Sequence, residues 1–161
     1  MRTARFLALA AVLAFTAPAM AGDYKVGALT IKSPWSRPAM AGMNGVGFMT
    51  IANAGAKPVK LVSAESPLAG TVEIHRSAMV NGVMTMRRQA DGVTIPAGGA
   101  TVFAPGGYHL MLMGLKSPLT QGQKAPVTLV FDNGRRAAVE LTVQMTAPPA
   151  SQGSAGGHAH H

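Results

Sequence analysis

Short runs of apolar residues, many of them alternating with polar ones, recur along most of the chain. They are rich in Val, Ile, Leu, Thr and Phe, and Gly or Pro separates them every several residues, so that no long segment has the period of a helix. The pattern predicts about nine strands, at 25–32, 46–53, 59–64, 71–76, 83–88, 101–104, 109–113, 126–131 and 137–145.

Turn residues separate these predicted strands. Asn81 and Gly82 are the pair that a tight type I′ hairpin turn requires, and the segment 132–134, Asp-Asn-Gly, joins the last two runs. Many short strands at this spacing favour an all-β fold, an antiparallel β-sandwich or Greek-key barrel, over a parallel sheet.

The two ends of the chain differ from its middle. Arg2 and Arg5 precede the apolar run 6–16 and the small-residue segment 19–21, which predicts a secretory signal peptide over residues 1–21. The apolar run is too short to cross a bilayer, which takes about 20 residues, so the mature chain is not expected to span a membrane. Export implies a location outside the cytoplasm.

We expect one β domain over residues 22–146 and a disordered tail over 147–161, which has no large apolar residue. Loss of Arg2 and Arg5 with the signal leaves 12 basic and six acidic residues, a net charge of +6 with His neutral. The cations are scattered and form no stripe with aromatic residues, which argues against nucleic-acid binding.

The absence of cysteine limits the chemistry. It excludes a Cys nucleophile, a thiolate zinc site and a blue-copper centre. Methionine, with 11 copies in the chain, is the remaining sulfur ligand.

The predicted domain contains two of the five histidines, His75 and His109, each with methionines nearby in sequence. Because side chains alternate faces along a strand, His109, Met111 and Met113 share one face, and Leu110 belongs to the core face. By the same alternation His75 shares a face with Glu73, and Met84 shares one with Met86.

Imidazole nitrogen and thioether sulfur form a soft, uncharged ligand set that suits Cu(I) better than magnesium, calcium or manganese. The pattern therefore favours copper. A Ser-His-acid triad is not apparent, since only Glu73 among the six acidic residues lies near a histidine in sequence. Binding is favoured over catalysis.

The segment 73–114, with EIH, MTMR, PAGG and PGGYHLMLMG, resembles the periplasmic copper chaperone family called PCuAC. Its signature is a His, ten residues, a Met, about 21 residues and then His-x-Met. Here ten residues separate His75 from Met86 and 22 separate Met86 from His109. The resemblance implies a cupredoxin-like β-sandwich and the ligands His75, Met86, His109 and Met111.

The resemblance further implies Cu(I) carriage in the periplasm toward cytochrome c oxidase assembly, with the oxidase copper subunit or a Sco-type thiol protein as partner. A periplasmic copper storage or resistance protein and, less favoured, a copper redox enzyme are the alternatives. A secondary site for Cu(II) at His158, His160 and His161 of the tail has equal standing with a tail that binds no metal.

Overall fold

The computed structural model describes residues 22–149, and within this range the chain forms strands and no helix. The predicted signal, the last twelve residues of the predicted tail and its three histidines lie outside the described residues. The strands are β1 (Tyr24–Val26), β2 (Leu29–Ser36), β3 (Gly45–Asn53), β4 (Val59–Glu65), β5 (Ala69–Val80), β6 (Val83–Arg88), β7 (Val93–Ile95), β8 (Ala100–Phe103), β9 (Tyr108–Leu115), β10 (Lys124–Phe131) and β11 (Arg136–Val143).

Seven of these strands pair in a closed ring, in the order β5, β9, β3, β2, β11, β10, β4 and back to β5. β8 bridges β3 and β9, while β1, β6 and β7 attach to β2, β5 and β4. Neighbours run antiparallel except for two short parallel pairings, β2 with β11 and β8 with β9. The predicted all-β, cupredoxin-like sandwich or barrel is therefore confirmed.

One core fills the ring, because each strand turns alternate side chains inward. In β11, for example, Ala137, Val139, Leu141 and Val143 are buried and the residues between them are not. Complete burial of one aliphatic side chain contributes about 1.5–3 kcal/mol, so a core of this kind carries most of the stability of a domain without disulfides. Met49 belongs to this core.

The structure departs from the predicted strands in three places. The run 25–32 is two strands rather than one, since a turn at Gly27, whose φ is 60°, folds β1 back on β2. β7 was missed because three residues are too few to show alternation. β5 continues to Val80, which places Met79 in a strand and not in the predicted loop.

Candidate metal centre

Two histidines lie side by side on the face of the sheet that points away from the core. His75 of β5 is directly opposite His109 of β9 in the antiparallel register. The centroids of the two rings are 5.8 Å apart and the ring planes are inclined by 54°. The strand register therefore brings together two imidazoles that are 34 residues apart in the sequence.

The contacts of His75 leave one of its nitrogens free to bind a metal. Its Nε2 lies 2.7 Å from Oε2 of Glu73, and because a carboxylate only accepts, Nε2 carries the proton. Nδ1 then holds the lone pair, and this atom is buried with no hydrogen-bond partner among residues 22–149. A buried acceptor without a partner costs about 1–3 kcal/mol, a cost that a bound cation would remove.

His109 is oriented in the complementary sense. Its Nδ1 donates to the carbonyl oxygen of Gly107 at 3.1 Å, so the lone pair is on Nε2. The side chain is 5% exposed, and burial lowers the pKa of His109 below its usual 6.5, assisted by the neighbouring His75 and opposed by the Gly107 carbonyl. His109 is therefore a neutral imidazole near pH 7, the protonation state in which a histidine binds metal.

Glu73 connects the histidine pair to the neighbouring strand. The hydrogen bond from His75 and the charge of Arg88 hold the pKa of this carboxyl below its ordinary value. Its Oε1 lies 3.7 Å from Nε of Arg88 on β6. A carboxylate behind a ligating histidine fixes the orientation and tautomer of the ring, so Glu73 is placed as a positioning residue for His75.

The predicted methionine ligands lie on opposite sides of the histidine pair. Met111 is paired with Glu73, whereas Met86 is paired with Ser77 on the other side of His75. Residues directly opposite in a sheet share a face, so both thioethers lie on the face of the histidines, at opposite corners. A single ion bound by all four residues requires the β5–β6 hairpin to curl toward β9.

Further methionines occupy the same face. Met113 is paired with Thr71 beyond Met111, and Met84 is paired with Met79 beyond Met86. Within residues 22–149, no three side chains drawn from His, Asp and Glu are grouped to hold a metal ion. The sulfur atoms are the ligands that the face offers in addition to the two imidazoles.

Sequence reasoning missed three features of this face. The bond from Glu73 to His75 had a signal, since residues two apart on a strand share a face, but its geometry depends on the fold. The bond from His109 to the Gly107 carbonyl had no signal in the sequence, because it depends on the path of the β8–β9 loop. Met79 was hidden by the underestimated length of β5.

Fold and site together define the class: a small cupredoxin-like β domain with histidines and methionines gathered on one outer face. The chain belongs to the LpqE-like family, whose model, described as "Putative lipoprotein LpqE-like", matches residues 29–143. A curated relative, "Putative lipoprotein Lxx21020" of Leifsonia xyli subsp. xyli, is 42% identical over 90 residues. That match covers 56% of this chain and 54% of the relative, so the chain spans about half the length of this relative.

Solved structures agree, and they confirm the resemblance to PCuAC. The apo PCuAC domain from PmoF1 has a TM-score of 0.64 at 28% identity, covering 79% of this chain and 100% of that domain. The copper-bound PCuAC domain from PmoF2 has a TM-score of 0.64 at 25% identity, covering 79% of this chain and 99% of that domain. The Cu(I) form of DR1885 from Deinococcus radiodurans has a TM-score of 0.52 at 32% identity, covering 71% of this chain and 78% of that protein.

Proposed function

We propose that this protein is a periplasmic copper chaperone. In this proposal it binds Cu(I) through His75, Met86, His109 and Met111 and passes the ion on toward cytochrome c oxidase assembly. The oxidase copper subunit or a Sco-type thiol protein is the proposed acceptor. Binding and release, without turnover of a substrate, are the whole activity.

The observation that carries the proposal is the pair of available imidazole nitrogens. Nδ1 of His75 and Nε2 of His109 hold the lone pairs on adjacent strands, because Glu73 and Gly107 engage the other nitrogen of each ring. Such partners set the tautomer of metal-binding histidines in general. This arrangement supports the proposal that the two rings share one ion.

The donor set favours Cu(I) over other ions. Two neutral imidazoles and flanking thioethers are soft ligands, and the chain has no thiolate to compete for the metal. Two of the similar solved proteins are described in copper-bound and Cu(I) forms. Copper is therefore the cargo that the ligands and the relatives both support.

Neutral ligands also favour transfer. A thiolate is a softer and more strongly donating ligand for Cu(I) than a thioether, so an acceptor with cysteines draws the ion from this site. The position of the methionines on an outer face lets an acceptor approach the ion directly. A storage protein would use similar ligands and retain the metal.

The descriptions of the relatives support the proposed location in the periplasm. The family and the curated relative are both described as lipoproteins, a class of the cell envelope. Within residues 22–149 the structure contains no helix long and apolar enough to cross a membrane. Fractionation of cells that express the full chain, with a periplasmic and a cytoplasmic marker protein, tests this location.

X-ray absorption of the Cu(I)-loaded protein tests the ligand set. We expect nitrogen and sulfur in the first shell, one fewer sulfur in Met111→Ala or Met86→Ala, and one fewer nitrogen in His75→Ala. Met145→Leu, which alters an exposed methionine beyond the last strand, is the matched control and should leave the spectrum unchanged. A first shell without sulfur would reject the thioether ligands.

Transfer separates a chaperone from a storage protein. Cu(I)-loaded protein is mixed without oxygen with the apo soluble domain of an oxidase copper subunit or of a Sco-type protein, and the copper in each is measured after separation. The proposal predicts that most of the copper moves to the acceptor. Retention by this chain with both acceptors would favour storage or resistance instead.

The tail histidines His158, His160 and His161 are proposed as a secondary Cu(II) site. Three imidazoles without a thioether suit the oxidised ion, and a tether would raise the local copper concentration near the histidine pair. Deletion of residues 147–161 should then remove one equivalent from a Cu(II) titration. An unchanged stoichiometry would exclude a metal site in the tail.

A further inference from the structure

Three methionines are strongly exposed on one face of the β5–β6 hairpin. Met79, Met84 and Met86 are 62%, 56% and 53% exposed. Core methionines fill gaps, as the buried Met49 does, but these three side chains are too exposed to act as core filler. Their position therefore needs another physical explanation.

The strand register places the three methionines next to one another on the hairpin. Met79 is directly opposite Met84, which corresponds to a separation of about 4.5–5.5 Å between Cβ atoms. Met86 is two residues along β6 from Met84 and diagonal to Met79, about 7–8 Å away. Each side chain has three rotatable bonds, so the three thioethers can converge on one ion above the hairpin.

The chemistry of this group selects a soft monovalent cation. Three neutral thioethers without a carboxylate offer nothing to magnesium or calcium, which require oxygen ligands. Arg88, the next side chain on this face of β6, is directed to Glu73, 3.7 Å from its carboxylate. The group thus suits Cu(I) or Ag(I).

Met86 links this group to the histidine pair. It is diagonal to His75, because Ser77 pairs with Met86 and His75 pairs with Arg88. Ser77, directly opposite Met86, is buried, whereas Met86 itself is 53% exposed. A cation held by Met86 is therefore next to the position diagonally across the hairpin that His75 occupies.

We propose that Met79, Met84 and Met86 form a second, all-thioether site that captures Cu(I) and delivers it to His75 and His109. The ion keeps its single positive charge, and ligands are exchanged one at a time while Met86 stays bound. Capture at the hairpin stands by itself, whereas delivery to the histidines rests on the function proposed above.

Methionine methyl NMR tests the site directly. The protein is labelled with ¹³C at the methionine methyl groups and titrated with Ag(I), an air-stable substitute for Cu(I), in a His75→Ala/His109→Ala background. We expect the methyl signals of Met79, Met84 and Met86 to shift and those of Met40 and Met43 to stay. Unmoved signals of Met79 and Met84 at saturating Ag(I) would overturn the proposal.

Matched variants provide the control. Adding Met79→Leu and Met84→Leu to that background should abolish the shift at Met86, whereas adding Met40→Leu and Met43→Leu should preserve it. All four positions are exposed, so each replacement leaves the core intact, and circular dichroism checks the fold. A shift that survives Met79→Leu/Met84→Leu would also contradict the site.

The same titration of the protein with both histidines distinguishes the two proposals. Shifts at Met79 and Met84 together with failure of transfer to either apo acceptor would retain the hairpin site and reject the chaperone. Shifts confined to Met86 and Met111, with transfer intact, would retain the chaperone and reject the hairpin site.

Discussion

At the scale of single residues, the site depends on which nitrogen of each histidine is free. Two groups outside the proposed ligand set decide this: the carboxylate of Glu73 and the carbonyl of Gly107. Each group is hydrogen-bonded to one of the two rings. Both rings are mostly withdrawn from solvent, so water cannot supply the hydrogen bonds that would stabilise the other tautomer. The properties of the proposed metal centre therefore depend also on residues that flank its proposed ligands.

Loss of the Glu73 carboxylate is predicted to weaken copper binding. Glu73→Ala frees the His75 ring to rotate and change tautomer, and removal of such a partner typically lowers metal affinity about 10–100-fold. Glu73→Gln keeps an acceptor oxygen and should lose less. Competition with a chromophoric Cu(I) chelator measures the affinity.

Glu65→Ala is the control for that experiment, since Glu65 also sits on a strand and pairs with Arg136 at 2.8 Å, away from the histidines. Its affinity for Cu(I) should match that of the unaltered protein. Equal affinities for Glu73→Ala and Glu65→Ala would contradict the positioning role.

The buried His109 predicts a pH dependence of the apo protein's stability. Its folded pKa is below the 6.5 of an exposed imidazole, so below pH 6.5 the unfolded chain binds the proton more readily than the folded one. This contribution to stability is complete above pH 6.5 and is lost as the pH falls through the folded pKa. Glu73, whose pKa is lowered from 4.5, acts in a separate and more acidic window.

Urea unfolding at a series of pH values on both sides of 6.5 measures this dependence. His109→Asn retains a donor for the Gly107 carbonyl but does not titrate, so its stability should fall less steeply over the same interval. Parallel curves for the two proteins would show that His109 does not carry the effect.

At the scale of elements, the β5–β6 hairpin determines where Met86 lies relative to His75. The turn residues Asn81 and Gly82 have φ values of 51° and 76°, which confirms the predicted type I′ turn. A two-residue turn sets the register of the whole hairpin, and a slip of one residue would move Met84 and Met86 to the opposite face.

Gly82→Ala is predicted to destabilise this hairpin. A Cβ at Gly82 meets no atom within 4 Å, so the cost is the left-handed backbone itself, about 1–2 kcal/mol. Because β6 pairs with β5 alone among the strands of residues 22–149, amide hydrogen exchange should rise in β6 while the ring strands stay protected. Gly82→Asn should be milder, since asparagine tolerates this conformation; equal exchange in both variants would contradict the explanation.

At the scale of the whole molecule, β5 and β9 are neighbours in the closed ring, so the proposed ion between His75 and His109 would cross-link the barrel wall. Leu110 and Ile74, the inward neighbours of the two histidines, are buried in the core. The packing on the core face of β5 and β9 thus fixes the separation of the two imidazole rings on the opposite face.

Copper is therefore predicted to stabilise the fold. A ligand that binds only the folded state adds about 2.7 kcal/mol at a free concentration 100 times its Kd, which raises the unfolding temperature. Calorimetry without oxygen should show this rise with Cu(I), and His75→Ala/His109→Ala should lose most of it. An equal rise in both proteins would place the stabilising ion elsewhere.

Much of the β architecture was predictable because alternation and turn residues are local properties. The two faces of β9 were assigned correctly, with Leu110 and Leu112 in the core and His109 and Met111 outside it. The boundaries of β5 and the existence of β7 were not, since strand ends depend on neighbours that the sequence does not name. The four metal ligands remain a prediction based on the family's spacing.

The sequence by itself determined which residues share a face, because a strand of period two orients each side chain by its position. It also determined the available ligand chemistry, imidazole and thioether without thiolate. Only the tertiary structure decided that His75 meets His109, that Glu73 and Gly107 free one nitrogen on each, and that Met86 and Met111 lie at opposite corners. The reason is physical: register between β5, β6 and β9 arises from core packing and ring closure over long sequence distances.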